Sequence, residues 1–186
     1  MKKLEAYNHF KKYLRERGID FEESIDNGIM LIAFYQADIY ENCPNGLVET
    51  NVWFYEDGLE ARSFYDKLGS EICKSSEHIS DLMRLFNYIN SSIWPKLNDC
   101  ANNEIYDPVR IYNPRIYITE DGCYDITYTT LINYEFYNLM PLETEDYIVR
   151  GCPSLMNMLS FPIFRVVAGN VSVDESIELI KSDVLR

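Results

Sequence analysis

The sequence predicts an α+β domain: an antiparallel β-sheet with helices packed mainly on one face of it. Three observations carry this. Residues 109–134 hold two runs rich in β-branched and aromatic residues around Glu120-Asp121-Gly122-Cys123. An Asp-Gly pair between alternating apolar runs marks a hairpin, because the favoured tight turn needs positive φ at both central residues. Residues 21–66 contain further short apolar runs, broken at Asp26-Asn27-Gly28, Cys43-Pro44-Asn45-Gly46 and Asp57-Gly58. Around them lie segments whose apolar residues recur at helical spacing.

The first of these segments is residues 2–17, where Leu4, Tyr7, Phe10 and Leu14 share a face with Tyr13, and Gly18 offers a C-terminal stop. Residues 21–25 then read as a strand. Residues 29–35 are apolar at every position, as expected of a strand covered on both faces, and the run could extend to Tyr40. Residues 47–55 alternate, with Val48, Val52 and Phe54 on one face and Trp53 and Tyr55 on the other. Residues 59–66 give a weaker strand signal.

Ser75 or Ser76 caps a second helix, with Glu77 in its first turn and Ile79, Leu82, Met83, Phe86, Ile89 and Ile93 in one stripe; Pro95 ends it. Asn90 sits at the edge of that stripe and reads as a structural amide gripping a loop or strand backbone. Residues 98–107 are polar and read as a loop. In the hairpin, Ile116 and Ile118 alternate with Arg115 and Tyr117. Tyr124, Ile126, Tyr128 and Ile132 face one way, opposite Asp125, Thr127 and Thr129, and Asn113-Pro114 suggests a bulge or sheet edge. Thr144 looks like a helix start. Residues 147–168 carry only Arg150 and Arg165 as charges, so this stretch is buried on more than one side. Pro153 and Pro162 would split it into two or three short helices. A second subunit packing on Leu155, Met156, Leu159 and Ile163 would explain its second apolar side. Ser172 and Glu175 form a capping box for a terminal helix with Val173, Ile177 and Ile180.

The 186 residues read as one domain, residues 1–186, and the 47% hydrophobic content supplies a core. Tyrosine is frequent, at 15 residues, and suits both half-buried strands and binding surfaces. Net charge is −13. Six basic against two acidic residues in positions 1–17 leave that segment at +4 and the rest at −17. Such a body repels phosphate backbones and anionic membranes, so no nucleic acid and no membrane is expected as partner. The five cysteines are widely spaced, and Met1-Lys2-Lys3-Leu4-Glu5 is not a secretory leader. Reduced thiols in a cytoplasmic protein are expected.

The chemistry-bearing motifs are sparse. His9 and His78 lie on separate predicted helices without a ligand-spaced partner, which gives no support to a metal site. Cys73 and His78 straddle a helix start, and nothing nearby orients the histidine as a base. There is no G-x-S-x-G, Walker A or G-x-G-x-x-G pattern. Acidic pairs fall at strand starts, a turn and a helix N-terminus. No catalytic residue, cofactor or metal ligand is assigned.

The element order is helix, antiparallel strands, helix, hairpin, helix. With Leu85-Phe86-Asn87-Tyr88-Ile89-Asn90 ending the middle helix and Gly169-x-x-Ser172-Val173-Asp174-Glu175 leading into the last, the chain resembles the bacterial YbjN-like group. Those proteins are described as sensory-transduction regulators with a type III secretion chaperone-like fold. The resemblance implies a small acidic protein, often dimeric, that binds other proteins, and it names no functional residues. The expected function is a non-enzymatic, chaperone-like or regulatory protein-binding module, working as a homodimer. Its candidate contacts are the outward aromatics Trp53, Tyr55, Tyr112 and Tyr117. The alternatives are a small-ligand or enzymatic domain with a carboxylate- and tyrosine-lined pocket, and a structural subunit.

Overall fold

The computed structural model describes residues 2–37, 40–93, 112 and 114–183. Six strands form one antiparallel sheet in the order β1-β2-β3-β4-β6-β5. They are β1 (Glu22–Asp26), β2 (Ile29–Gln36), β3 (Val48–Phe54), β4 (Gly58–Tyr65), β5 (Arg115–Ile118) and β6 (Ile126–Asn133). The first four are a meander. The β5–β6 hairpin attaches through β6 to β4. The α+β class expected from the sequence is what the chain adopts.

Turn chemistry sets the register. Asn27 and Gly28 both take positive φ, the pair that a tight β1–β2 turn requires, and Asp26 pairs with Ile29. The turn between β5 and β6 differs from expectation. It runs from Thr119 to Asp125, and positive φ falls on Gly122 and Tyr124 rather than on Asp121. Asp121 instead accepts the Cys123 N–H at 2.9 Å, a local Asx turn. Tyr124 therefore lies outside the strand face it was expected to share.

The helices are α1 (Lys3–Glu16), α2 (Lys67–Lys74), α3 (Ile79–Tyr88), α4 (Tyr134–Leu139), α5 (Pro141–Asp146), α6 (Cys152–Val167) and α7 (Val173–Asp183). π turns follow α3 at Ile89–Ile93 and join α5 to α6 at Tyr147–Gly151. Alternation divides the sheet, with Glu60 and Thr127 the residues of the opposite face that are also buried. Met30, Ile32 and Phe34, then Val48, Thr50, Val52 and Phe54, then Leu59, Ala61, Ser63 and Tyr65 are buried. So are Ile126, Tyr128, Thr130 and Ile132 on β6 and Ile116 and Ile118 on β5. Onto this face α1 lays Tyr7 and Phe10, whose rings meet Phe54 at 5.3 and 6.1 Å. α6 receives the Tyr65 hydroxyl on the Met156 carbonyl at 2.7 Å.

This core is unusually rich in hydroxyls, and each of the following finds a partner, as burial demands. Tyr65 and Tyr128 meet at 3.2 Å, Thr50 and Ser63 at 2.9 Å, and Tyr112 and Thr144 at 2.8 Å. Much of the tyrosine content is thus core, not surface.

Several expectations are corrected. β2 is covered on one face only; Tyr35 is 68% exposed, and the strand stops at Gln36. On α3 the buried positions are Leu82, Leu85 and Phe86, whereas Met83 points outward. Thr144 lies inside α5, not at a helix start. α6 runs unbroken past Pro162, because Pro153 occupies its first turn and Pro162 is accommodated within it. α2 and α4 went unforeseen. Pro95 and the 98–107 loop lie outside the described residues. Asn90 does what was expected: its amide donates to the Ile116 carbonyl at 2.8 Å and its oxygen accepts the Ile116 N–H at 2.9 Å.

Candidate functional site

Strand alternation places a second set of side chains on the sheet face away from these helix contacts. Register arranges them in rows. One row is Ser24, Leu31, Trp53, Glu60 and Leu131; the next is Glu22, Ala33, Asn51, Arg62, Thr129 and Arg115; the third is Tyr35, Glu49, Phe64, Thr127 and Tyr117. Leu131 is 75% exposed. α2 borders one end of the face, where a cavity of about 350 Å³ is lined by Phe64, Asn51, Lys67, Lys74 and Asp125 among others.

Arg62 and Trp53 form the centre. They are diagonal neighbours across β3 and β4, and the guanidinium lies over the indole ring at 5.0 Å. Arg62 Nε donates to Glu60 at 2.7 Å, and the Tyr55 hydroxyl donates to the other Glu60 oxygen at 3.1 Å. The hydrogen bond to Glu60 holds the Arg62 guanidinium above its ordinary pKa. Burial pushes the Tyr55 phenol up. The Tyr117 hydroxyl accepts from Thr129 at 3.1 Å. The result is a half-buried cluster in which Glu60 bridges Arg62 and Tyr55, Arg62 stacks on Trp53, and the Thr129–Tyr117 pair lies in the adjoining rows.

Of the four aromatics expected to face outward, Trp53, Tyr55 and Tyr117 belong to this face and are half-buried. Tyr112 does not. It is buried on the helix side, stacked on Tyr147 with ring centroids 4.4 Å apart. Glu60 and Arg62 escaped sequence reasoning. The signal was available in the Asp57-Gly58 turn, which fixes the register that sets Glu60 opposite Trp53 and Arg62 opposite Asn51.

The residues assigned to a dimer interface are also internal. Leu155, Met156, Leu159 and Ile163 are at most 4% exposed in the single chain. The second apolar side of α6 is covered by this chain's own sheet, α3 and α7, not by a second copy. The large apolar residues that α6 does expose are Met158 and Phe161.

Among the described residues, the ionisable groups elsewhere do not assemble into a nucleophile with its base. The Cys73 thiol is buried and pushed up to about 12 by desolvation, while His78 faces Asp81 at 3.3 Å. Cys43 and Cys152 are likewise buried and pushed up to about 12 by desolvation. Among the described residues, no three His, Cys, Asp or Glu side chains gather as metal ligands. Nor is any described helix long and apolar enough to cross a membrane. One cluster is notable. Glu145 on α5 is fully buried, and its Oε1 receives His9 Nδ1 at 2.6 Å and the Tyr137 hydroxyl at 2.5 Å. Among the described residues its Oε2 has no hydrogen-bond partner.

In comparisons with known proteins, no family model, no curated protein and no solved structure matches this chain.

Proposed function

We propose that this protein is a non-enzymatic protein-binding module, chaperone-like or regulatory and of the YbjN-like kind. It docks a partner on the sheet face away from the helix layer. The observation that carries the reading is the stack of Arg62 on Trp53, braced by Glu60 and Tyr55. Trp, Tyr and Arg dominate binding hot spots, and a cluster already held in place loses less freedom when a partner arrives. The acidic body favours a protein partner over a nucleic acid or an anionic membrane. Buried free thiols suit a reduced, cytoplasmic setting. A homodimer belongs to the proposal only through surface other than Leu155, Met156, Leu159 and Ile163, which are committed to the chain's own core.

The test is capture from the native cell by the wild type and by Arg62→Ala and Trp53→Ser. One stoichiometric polypeptide, retained by the wild type and lost by both folded variants, supports the reading. Equal retention by the variants counts against this face. The alternative, a small-ligand or enzymatic site, has one observation in its favour: the buried Glu145 with His9 and Tyr137. A metabolite that co-purifies and is lost in Glu145→Gln would favour it.

A further inference from the structure

The two edges of the sheet are treated differently. On β5, Asn90 holds both the N–H and the C=O of Ile116, so its amide stands in for a neighbouring strand. On β1, Glu22–Asp26 pair with β2 on one side, and among the described residues no backbone or side-chain group bonds the other. All five β1 residues are exposed. A row of unpaired N–H and C=O groups is a template for another strand.

Its charge selects which strand. Glu23 is already engaged by Lys11 at 2.5 Å and by the Tyr7 hydroxyl. Asp20, Glu22 and Asp26 have no ion pair among the described residues. Beside the start of β1 is a cavity of about 280 Å³ lined by Asp20, Phe21, Glu22, Tyr35 and Glu49, with Ala33 and Phe34 beneath. Three carboxylates and two aromatic rings around one hollow suit an ammonium or guanidinium group. Arg15, over Phe21 at 5.6 Å, already shows that pairing within the chain. A second copy is a poor occupant. Antiparallel self-pairing about Ser24 sets Glu22 against Asp26, and like charges placed opposite are destabilising.

We infer that the free edge of β1 takes up an extended basic segment of a partner protein. Main-chain pairing supplies the attachment, and one Lys or Arg enters the cavity between Glu22, Glu49 and Tyr35. This names the partner chemistry for the protein-binding reading and rests on it, but it uses the edge rather than the Trp53–Arg62 centre.

The probe is a fluorescent octapeptide of alternating Lys and Val, titrated into the full chain by anisotropy. A Glu–Val octapeptide and a Lys–Val octapeptide N-methylated at every residue, so that neither edge can donate, are the controls. Binding of the Lys–Val peptide is expected, with at least about a tenfold loss in both the N-methylated peptide and the Glu22→Lys protein. Phe161→Ser, on an exposed helix surface outside both binding surfaces, should bind it as the wild type does. No binding, or equal binding of the N-methylated peptide, overturns the inference, the latter by showing charge attraction without strand pairing. Loss in Trp53→Ser with retention in Glu22→Lys also overturns it, while leaving the protein-binding reading in place.

Discussion

His9 Nδ1 lies 2.6 Å from Glu145 Oε1, joining α1 to α5 across 136 residues of sequence. The histidine is partly exposed and the carboxylate is fully buried. Burial drives the Glu145 pKa upward, against the hydrogen bonds from Tyr137 and His9 that favour the anion; Asp146 beside it adds repulsion. A folded-state pKa above the unfolded one has a definite sign. The fold is best off below the unfolded carboxylate pKa and loses stability as pH rises through the folded value. Glu145→Gln removes that titration. Denaturant unfolding from pH 4 to pH 8 should therefore show the variant gaining on the wild type as pH rises. A difference that stays flat would show that folding does not shift the Glu145 pKa.

His9→Ala tests the other half of the pair. It leaves Glu145 Oε1 with Tyr137 as its hydrogen-bond donor among these partners, and Oε2 stays unpartnered. A hydrogen bond contributes about 0.5–1.5 kcal/mol, or about 1.5–3 kcal/mol when one partner is charged, so a loss of about 0.5–3 kcal/mol is expected at neutral pH. It should shrink in the Glu145→Gln background, where the carboxylate that the donor serves is gone. Additive effects of the two substitutions would mean that the residues do not act on one another.

Asn90→Ala should destabilise the chain by about 1–3 kcal/mol, since it strands the Ile116 N–H and C=O at a sheet edge. Asn90→Asp should be no better, because it puts an acceptor against the carbonyl. Hydrogen exchange gives the local readout: the Ile116 amide should lose protection in both variants. Unchanged protection would mean that the amide bonds elsewhere.

Asn90 also shows how far the sequence alone can reach. An amide beside an apolar stripe has to satisfy its donors and acceptor, so its structural role was legible, though not its partner. Strand alternation was equally legible, and it put Trp53, Tyr55 and Tyr117 on the correct face. The misreadings share one cause. Apolar residues in excess of one face, as on α6, need a covering surface, and periodicity does not say whose. Here α3 and α7 supply it. Tyr112 misled for a similar reason: its ring packs on Tyr147 from a distant part of the chain. The Arg62–Glu60 pair depended on register, which a strand taken singly does not reveal.

The covering of α6 changes what substitution there should do. Met156 is fully buried in the single chain, so Met156→Glu should unfold the protein rather than split a dimer. Burying an unpaired carboxylate is among the few single changes that cost more than about 4 kcal/mol. Phe161→Ser on the exposed side of the same helix should leave the thermal midpoint nearly unchanged, apart from the loss of the Arg165 contact at 5.2 Å. Circular dichroism and light scattering on both variants check this. A folded, monomeric Met156→Glu beside a dimeric wild type would restore the interface to α6.

Thiol reactivity separates the cysteines by the same logic of burial. Cys43, Cys73 and Cys152 are buried, with thiols pushed up to about 12 by desolvation, whereas Cys123 sits exposed in the β5–β6 turn. The thiolate is the reactive form, so access and ionisation point the same way for the buried three. Cys123 is not an activated thiol. Asp121 heads the influences that push its pKa up, with Asp125 adding to it and Lys74 opposing. In a Cys100→Ser background, a disulfide reagent at neutral pH should modify one thiol per chain, at the rate of an ordinary exposed cysteine or slower. The remaining three should react only on unfolding. Fast labelling at a second site in the native protein would show that the helix layer opens over Cys43, Cys73 or Cys152 more readily than their packing implies.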